Sequence, residues 1–267
     1  MAKREELVEL IKYVRPYPVK HLYRYRSMDS RELPLIFEHM KVYFPDPTTF
    51  KDPFECKPNL TVHKSSVMRE LYLKERAKHR FPTADKKTIR KMTLSAKRKL
   101  LNHENLERAY EEFLRNTGVY CLSEKNDDIL MWSHYSDGHK GLCIEFDASQ
   151  EETFFWEATK VVYQEEYPIV NVMDIGKPEE FRKALLTKSN HWEYEQERRI
   201  LKFKREGGPG GHNFPSKSLT GIILGALIEE QDKNKILHWI ADYPNKINIY
   251  QAKINRTKYK LDIEQIM

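Results

Sequence analysis

The segment 118–147 constrains the fold most strongly, because it predicts a strand, a short helix and a second strand in close succession. An apolar run from Val119 to Leu122 is followed by a polar break, in which Asn126 or Asp127 is a suitable helix N-cap. Two glycines end the expected helix, and the residues after them alternate as a strand does. Strands scattered among helices in this way favour an α+β fold over a doubly wound parallel sheet.

The helix within this segment is rich in side chains that form hydrogen bonds or stack. An ordinary core helix contains mainly Leu, Ile and Ala, whereas this one has Trp132, Ser133, His134 and Tyr135 in a row. Two interpretations remain open. Either Trp132 and Tyr135 belong to the hydrophobic core, or these side chains line a pocket.

Five motifs along the chain resemble the signature of an uncharacterised bacterial family that is often encoded near defence genes. The motifs here are Leu22-Tyr23-Arg24-Tyr25-Arg26, Lys51-Asp52-Pro53-Phe54-Glu55, Met131-Trp132-Ser133-His134-Tyr135, Gly141 to Phe146 and Trp192 to Glu197. The resemblance extends over most of the chain and implies a role in phage defence or in a toxin system. It implies no particular reaction, because the family has no settled activity.

The composition favours a soluble globular protein, with 40% hydrophobic and 32% charged residues. We expect no membrane contact, since no run of about 18 apolar residues occurs and the acidic N-terminal sequence does not suit a signal peptide. The three cysteines, Cys56, Cys121 and Cys143, have the spacing of neither a disulfide framework nor a metal site. Reduced cysteines are typical of the bacterial cytoplasm, where we expect the protein, and no motif predicts a bound metal ion.

Positive charge is concentrated in one part of the chain. The net charge is +6, but residues 64–99 contain thirteen Lys or Arg and three acidic residues, which leaves the rest of the chain at −4. Helical periodicity with a break at Phe81-Pro82-Thr83 predicts a basic helical insertion at about 64–116. Its charges either form a solvated helix surface or contact the phosphate backbone of nucleic acid.

The other elements follow from periodicity and turn residues. We expect a leading helix at 3–15, further helices at 31–39, 179–187 and 232–241, strands at 21–27, 41–44, 154–164, 195–203, 219–227, 247–252 and 259–263, and a mobile loop at 205–215. The turn-rich segment 46–55 is either the lip of a pocket or a plain connector. Together these elements predict one α+β domain over residues 1–267, with a mainly antiparallel sheet and one helical insertion.

Two glutamates late in the chain are the strongest candidates for chemistry. If residues 195–203 are a strand, Glu195, Glu197 and Arg199 point to one side, and the roots of the two glutamate side chains lie about 7 Å apart. Arg199 would keep one carboxylate ionised. The alternative is an exposed, charged strand edge without a function.

The order of several residues also resembles toxin-type mono-ADP-ribosyltransferases. In those enzymes an Arg or His on the first strand holds the NAD ribose, an aromatic ring stacks on nicotinamide, and a late Glu, often in a Glu-x-Glu pair, is catalytic. The resemblance implies these roles here for Arg24, for Tyr43 and for Glu197 or Glu195. It also implies NAD as the substrate, and the further residues expected at such a site are His134 for catalysis and Tyr25, Trp132, Tyr135 and Arg199 for contacts with NAD.

Two other functions remain open. The basic helices could bind nucleic acid while His134, Glu145 and Glu197 form a nuclease site. Alternatively, the polar motifs bind a small ligand in a non-catalytic sensor of a defence system. The sequence contains no P-loop, Gly-x-Gly-x-x-Gly, Gly-x-Ser-x-Gly or His-Glu-x-x-His motif that would decide between these functions.

Overall fold

The computed structural model describes residues 19–100, 102–149, 154–174 and 177–267, without the side chains of residues 178, 179 and 181. The helix expected at residues 3–15 therefore lies outside the described residues. Within them the chain forms an α+β fold around a large, mostly antiparallel sheet, as the sequence predicts. No helix in these ranges is long and apolar enough to cross a lipid bilayer.

Short helices and strands alternate along the chain. The α-helices of the described ranges are α1 (Glu32–His39), α2 (Ser66–Arg80), α3 (Lys86–Leu100), α4 (His103–Arg115), α5 (Ile129–Tyr135), α6 (Pro178–Leu185) and α7 (Glu230–Ala241). The strands are β1 (His21–Arg26), β2 (Lys41–Phe44), β3 (Asn59–Thr61), β4 (Thr117–Ser123), β5 (Leu142–Asp147), β6 (Thr159–Lys160), β7 (Val162–Gln164), β8 (Ile169–Asn171), β9 (Thr187–Ser189), β10 (Glu197–Phe203), β11 (Gly210–Asn213), β12 (Leu219–Leu224), β13 (Asn248–Ile254) and β14 (Leu261–Gln265).

The main sheet places strands from distant parts of the chain side by side. Its strand order is β14-β13-β12-β5-β1-β4-β10-β6. Neighbouring strands are antiparallel except for β12 and β13, which are parallel because the chain returns through α7 between them. The pairs β2–β11, β3–β8 and β7–β9 lie outside this sheet.

The register of the strands divides the side chains of the sheet between two faces. Tyr23 is opposite both Glu145 and Ser123, and Ser123 is opposite Glu197. These four side chains therefore form one row across β5, β1, β4 and β10, and we call their side of the sheet the polar face. Alternate residues such as Leu22 form the apolar face, which α1 and α7 cover in a large hydrophobic cluster.

The helix of the segment 118–147 packs on the polar face. Its N-cap is Asp128, so the predicted N-cap at Asn126 or Asp127 is wrong; the Asp128 carboxylate accepts the N–H groups of Leu130 at 2.9 Å and Met131 at 3.0 Å. Trp132 is fully buried against Tyr25, with the ring centroids 5.2 Å apart. Trp132 therefore belongs to the core, as one of the two interpretations of this helix proposed.

Helices α2 and α3 pack against each other, and we call them, together with the turn at 81–85, the basic hairpin. The predicted break at Phe81-Pro82-Thr83 lies between the helices, and the Asp85 carboxylate accepts the N–H of Thr88 at 2.7 Å at the start of α3. Helix α4 then connects the hairpin to the rest of the fold. Its Tyr110 hydroxyl donates to the carbonyl oxygen of Cys56 at 3.0 Å.

Three further local predictions are wrong. The region 154–164 begins with a turn of 3-10 helix before the short strands β6 and β7. Glu195 ends another 3-10 helix, Asn190–Glu195, and Gln196 separates it from β10 by a left-handed conformation with φ of 43°. The expected mobile loop at 205–215 contains β11, which pairs with β2. Contacts with distant parts of the chain decide these conformations, and local periodicity does not report such contacts.

Candidate functional site

A cleft of about 710 Å³ opens beside the start of β10. One wall is the turn before β3, which contributes Asp52, Phe54 and Glu55. Other walls are the segment after β7, strand β9 with the 3-10 helix that follows it, and α5. The turn-rich segment 46–55, for which a pocket lip was one of two interpretations, therefore lines a cleft.

A cluster of five charged side chains adjoins the cleft, and two of its members, Glu55 and Lys188, line it. Each of the five is at most 9% exposed, and we call them the carboxylate cluster: Glu55, Lys188, Glu195, Glu197 and Arg199. The Lys188 ammonium lies 2.5 Å from Glu195, 3.2 Å from Glu197 and 3.7 Å from Glu55. Arg199 donates two hydrogen bonds to Glu197, at 2.8 and 3.0 Å, and another to Glu55. Three carboxylates thus share two cations.

Contacts from neighbouring strands hold the two late glutamates in place. The Ser123 hydroxyl on β4 donates to the carbonyl oxygen of Glu195 at 2.6 Å. The N–H of Glu197 donates to the hydroxyl oxygen of Tyr163 on β7 at 2.7 Å. Although Glu195 lies outside β10, both carboxylates therefore meet at Lys188.

The pKa values of the two glutamates are shifted in opposite directions. Burial would raise the pKa of Glu197, but Arg199 and Lys188 overcome this effect and hold it well below its ordinary value. Burial dominates at Glu195 and raises its pKa, although Lys188 acts against the shift. Carboxyl groups separated in this way can act as the ionised and the protonatable partner in acid–base chemistry.

Lys188 holds the carboxylates together as a cation. Burial would lower its pKa, but Glu197, Glu55 and Glu195 together raise it. The side chain therefore stays protonated and lacks the free amine that a nucleophilic lysine needs. In the described ranges, no group of three His, Cys, Asp or Glu side chains is arranged to hold a metal ion.

Aromatic rings and further carboxylates line the cleft beside this cluster. The rings of Phe54 and Tyr167, which are 62% and 45% exposed, have centroids 6.3 Å apart. The rings of Trp192 and Tyr194 lie 6.0 Å apart in the same lining. Rings of this kind offer a stacking surface to a planar ligand. The acidic lining residues outside the cluster are Asp52, Glu165 and Glu166.

The structure brings five of the predicted site residues together. Glu195, Glu197 and Arg199 belong to the carboxylate cluster, so the alternative of an exposed strand edge is wrong for this segment. The Tyr135 hydroxyl donates to Glu195 at 2.6 Å, and burial raises the pKa of Tyr135, which keeps the hydroxyl protonated. His134 lines the cleft.

The other four predicted site residues lie elsewhere. Arg24 is on the apolar face, where it forms an ion pair of 3.6 Å with the first residue of α1, so the sheet separates it from Glu197. Tyr43 on β2 is 44% exposed and is not part of the cleft lining. Tyr25 and Trp132 pack against each other in a hydrophobic cluster. The structure therefore does not assemble the predicted arrangement of Arg24, Tyr43 and Glu197.

The three residues considered for a nuclease site are also separated. Glu145 lies in the same row as Glu197, but β1 and β4 stand between their strands. Glu145 accepts hydrogen bonds from Thr220 at 2.8 Å and from Tyr23 at 3.4 Å, in a polar network of its own. His134, Glu145 and Glu197 thus do not form one site.

Two members of the cluster were missing from the sequence prediction. Glu55 ends the Asp-Pro-Phe-Glu motif, which predicted only a turn or a pocket lip. The motif was nevertheless a signal, since it places a carboxylate directly after an aromatic residue in a segment expected at a pocket. Lys188 has no distinguishing local pattern, because only the parallel pairing of β9 with β7 places it among the carboxylates.

A family model described as Protein of unknown function (DUF2971) matches residues 131–200. Comparisons with curated proteins and with solved structures give no match. The matched range extends from α5 to β10 and contains every member of the carboxylate cluster except Glu55. The chain is thus similar, over part of its length, to a family without an assigned function.

Proposed function

We propose that this protein cleaves the N-glycosidic bond of a ribosyl pyridinium group, which NAD and nicotinamide riboside share. The observation that carries the proposal is the pair Glu195 and Glu197, whose pKa values are shifted in opposite directions and which both contact Lys188 in the lining of an aromatic, acidic cleft. Cleavage of such a bond passes through an oxocarbenium-like state, which fixed carboxylates stabilise.

The charge of the cleft supports a positively charged substrate. Its lining carries Asp52, Glu55, Glu165 and Glu166 beside the single buried cation Lys188. A pyridinium ring is planar and positively charged, so it can stack on the aromatic side chains while the carboxylates attract its charge. A neutral ring of the same shape would gain only the stacking.

The proposed reaction is balanced without a further cofactor. The bond between C1′ of the ribose and the ring nitrogen breaks, and its electron pair stays on the nitrogen, so that nicotinamide leaves as a neutral molecule. Positive charge moves to the ribose, where the carboxylate of Glu55 at the cleft surface stabilises it. Water adds to C1′, and its proton passes to the cluster, where Glu195 has the raised pKa that favours protonation.

The remaining residues of the cluster position these groups. Arg199 keeps Glu197 ionised, and Glu197 holds Lys188 between the carboxylates. The Tyr135 hydroxyl orients the carboxylate of Glu195. This assignment differs from the arrangement of a mono-ADP-ribosyltransferase, since Arg24 and Tyr43 have no part in it.

Consumption of NAD is compatible with the role in phage defence or in a toxin system that the sequence motifs imply, and with a cytoplasmic location. Water is the simplest acceptor of the ribosyl group. Another nucleophile in its place would make the same site an ADP-ribosyltransferase.

The test is nicotinamide release from NAD and from nicotinamide riboside by the wild type and by Glu195→Gln. The glutamine keeps the shape of the side chain but cannot accept the proton, so we expect release to fall at least about 100-fold. The matched control is Glu264→Gln, which removes a carboxylate that is 53% exposed on β14, and which should release nicotinamide at the wild-type rate.

Three outcomes would overturn the proposal. The first is unchanged release by a folded Glu195→Gln protein. The second is no release by the wild type from either compound. The third is thermal stabilisation of the wild type by NAD without release, which would assign the cleft to a non-catalytic ligand sensor.

A further inference from the structure

The basic hairpin presents its charge to solvent. Of its twelve Lys and Arg residues between Arg69 and Lys99, ten are exposed and two are half-buried. Helix α2 buries only Leu73, and α3 buries only Ile89 and Thr93. A segment with so little buried surface has no structural need for this charge.

The charge is also left largely unneutralised by the rest of the protein. Within the described part of the chain, the ion pair of Lys78 with Glu75, at 2.9 Å, is the only one between side chains of the hairpin. Arg69 donates instead to the carbonyl oxygens of His63 and Lys64. The hairpin therefore remains a concentrated positive surface, which attracts polyanions.

One side of α3 carries this surface. Ile89 marks the buried side of the helix, and at 100° per residue the side chains of Lys87, Lys91 and Arg98 lie on the opposite side. Lys87 and Arg98 are about 16 Å apart along the axis at 1.5 Å per residue. This spacing lets the three cations contact several consecutive phosphates of a nucleic-acid backbone.

We infer that the basic hairpin binds the phosphate backbone of double-stranded nucleic acid, through Lys87, Lys91 and Arg98 of α3, independently of base sequence. Counterions released from the backbone by such cations provide the driving force. This inference does not rest on the proposed N-glycosidic reaction.

The aromatic side chains of the hairpin favour backbone contacts over the stacking of single-stranded bases. The guanidinium of Arg76 lies 5.7 Å from the centroid of the Tyr72 ring, and that of Arg80 lies 5.6 Å from the centroid of the Phe81 ring. Arginines of the hairpin thus already cover both rings. Single-strand binding proteins instead present open rings between their basic residues.

An anionic membrane is the competing partner, because the hairpin also exposes apolar side chains. Val67, Met68 and Leu71 are exposed on α2, whereas Leu94 is the one large apolar side chain of α3 that is exposed, and it lies beside the basic residues of that helix. Membrane-surface helices need an apolar stripe beside the basic residues on the same helix. A single leucine does not form such a stripe, so the basic side of α3 favours nucleic acid.

The test is binding of a DNA duplex and of an RNA duplex of equal length to the full chain, measured by fluorescence anisotropy over a series of salt concentrations. We compare the wild type with the triple variant Lys87→Gln, Lys91→Gln, Arg98→Gln. Each lost phosphate contact should reduce the slope of log Kobs against log salt by about 0.9, or about 2.7 for three. The control variant is Lys246→Gln, Arg256→Gln, Lys258→Gln, which removes the same charge from exposed sites outside the hairpin.

The expected result is salt-dependent binding of one or both duplexes that weakens in the hairpin variant and is unchanged in the control variant. Equal binding by both variants would overturn the inference, because it would show an effect of net charge alone. Absence of binding to either duplex would overturn it as well. So would binding only to vesicles of anionic phospholipid, which would assign the surface to a membrane.

Discussion

The carboxylate cluster and the basic hairpin are two highly charged regions of this protein, and they differ in their exposure to solvent. In the cluster, three carboxylates and two cations contact one another and are at most 9% exposed. In the hairpin, ten of twelve basic side chains are exposed and one ion pair is formed among the described side chains. Charge content alone therefore does not distinguish a buried site from a solvated surface.

The difference in exposure determines which chemistry or binding each region can support. Buried charges must be paired, because removing them from water costs several kcal/mol for each ion. The pairing fixes positions and shifts pKa values, which is what acid–base chemistry requires. Exposed charges pair weakly in water and remain free to attract a large anion. The predictions below follow from this contrast.

The largest expected effect is loss of stability when the balance of the cluster is broken. Glu197→Gln removes the carboxylate that accepts two hydrogen bonds from the buried Arg199 and contacts Lys188. Because a buried cation then loses its paired partner, we expect a loss of about 3–5 kcal/mol in the free energy of unfolding. Urea denaturation at neutral pH measures it. Glu75→Gln removes an exposed partner in the hairpin and should leave the urea midpoint unchanged. Equal urea midpoints for Glu197→Gln and Glu75→Gln would contradict the contrast between buried and exposed charges.

The loss caused by Glu197→Gln should depend on pH. The pKa of Glu197 is lowered in the folded state, so its contribution to stability is complete above its ordinary value of 4.5 and is lost as the pH falls through the folded value. The difference from wild type should therefore be larger at about pH 7 than at about pH 3.5. Urea denaturation at both pH values measures the change.

Urea denaturation of Glu195→Gln should give the opposite result to that of Glu197→Gln. The pKa of Glu195 is raised in the folded state, so its ionisation at neutral pH opposes folding. We expect this variant to be at least as stable as the wild type at about pH 7. A large loss of stability there would show that Glu195 is a structural ion-pair partner like Glu197.

A smaller loss of stability is expected from a change on α4, the helix that follows the basic hairpin. Tyr110→Phe on α4 removes the hydroxyl that donates to the carbonyl oxygen of Cys56, the residue next to Glu55. We expect a loss of about 1 kcal/mol in the free energy of unfolding, the usual effect of removing one buried hydrogen bond. An unchanged free energy of unfolding would mean that apolar packing alone holds α4 in place.

Much of the fold was predictable because its signals are local. The break at Phe81-Pro82-Thr83, the strand of β5 and the helix of α5 follow from turn residues and from periodicity over a few residues. The structure also brings Glu195, Glu197 and Arg199 together, although Glu195 belongs to a 3-10 helix and not to β10. The left-handed Gln196 replaces the alternation that the prediction assumed.

The remaining features depend on contacts that no local pattern contains. Arg24 and Tyr25 alternate along β1, and only the packing of the sheet decided that Tyr25, and not Arg24, shares a face with Glu197. Glu55 reaches Arg199 across 144 positions of the chain.

The sequence by itself determined the α+β class, the segregation of positive charge into one helical segment and the alternation that points Glu197 and Arg199 to one side of β10. Only the tertiary structure decided that these side chains are buried, that Glu55 and Lys188 join them, and that a cleft opens above them. The reason is that secondary structure follows from neighbours along the chain, whereas burial and pKa depend on which distant groups exclude water from a side chain.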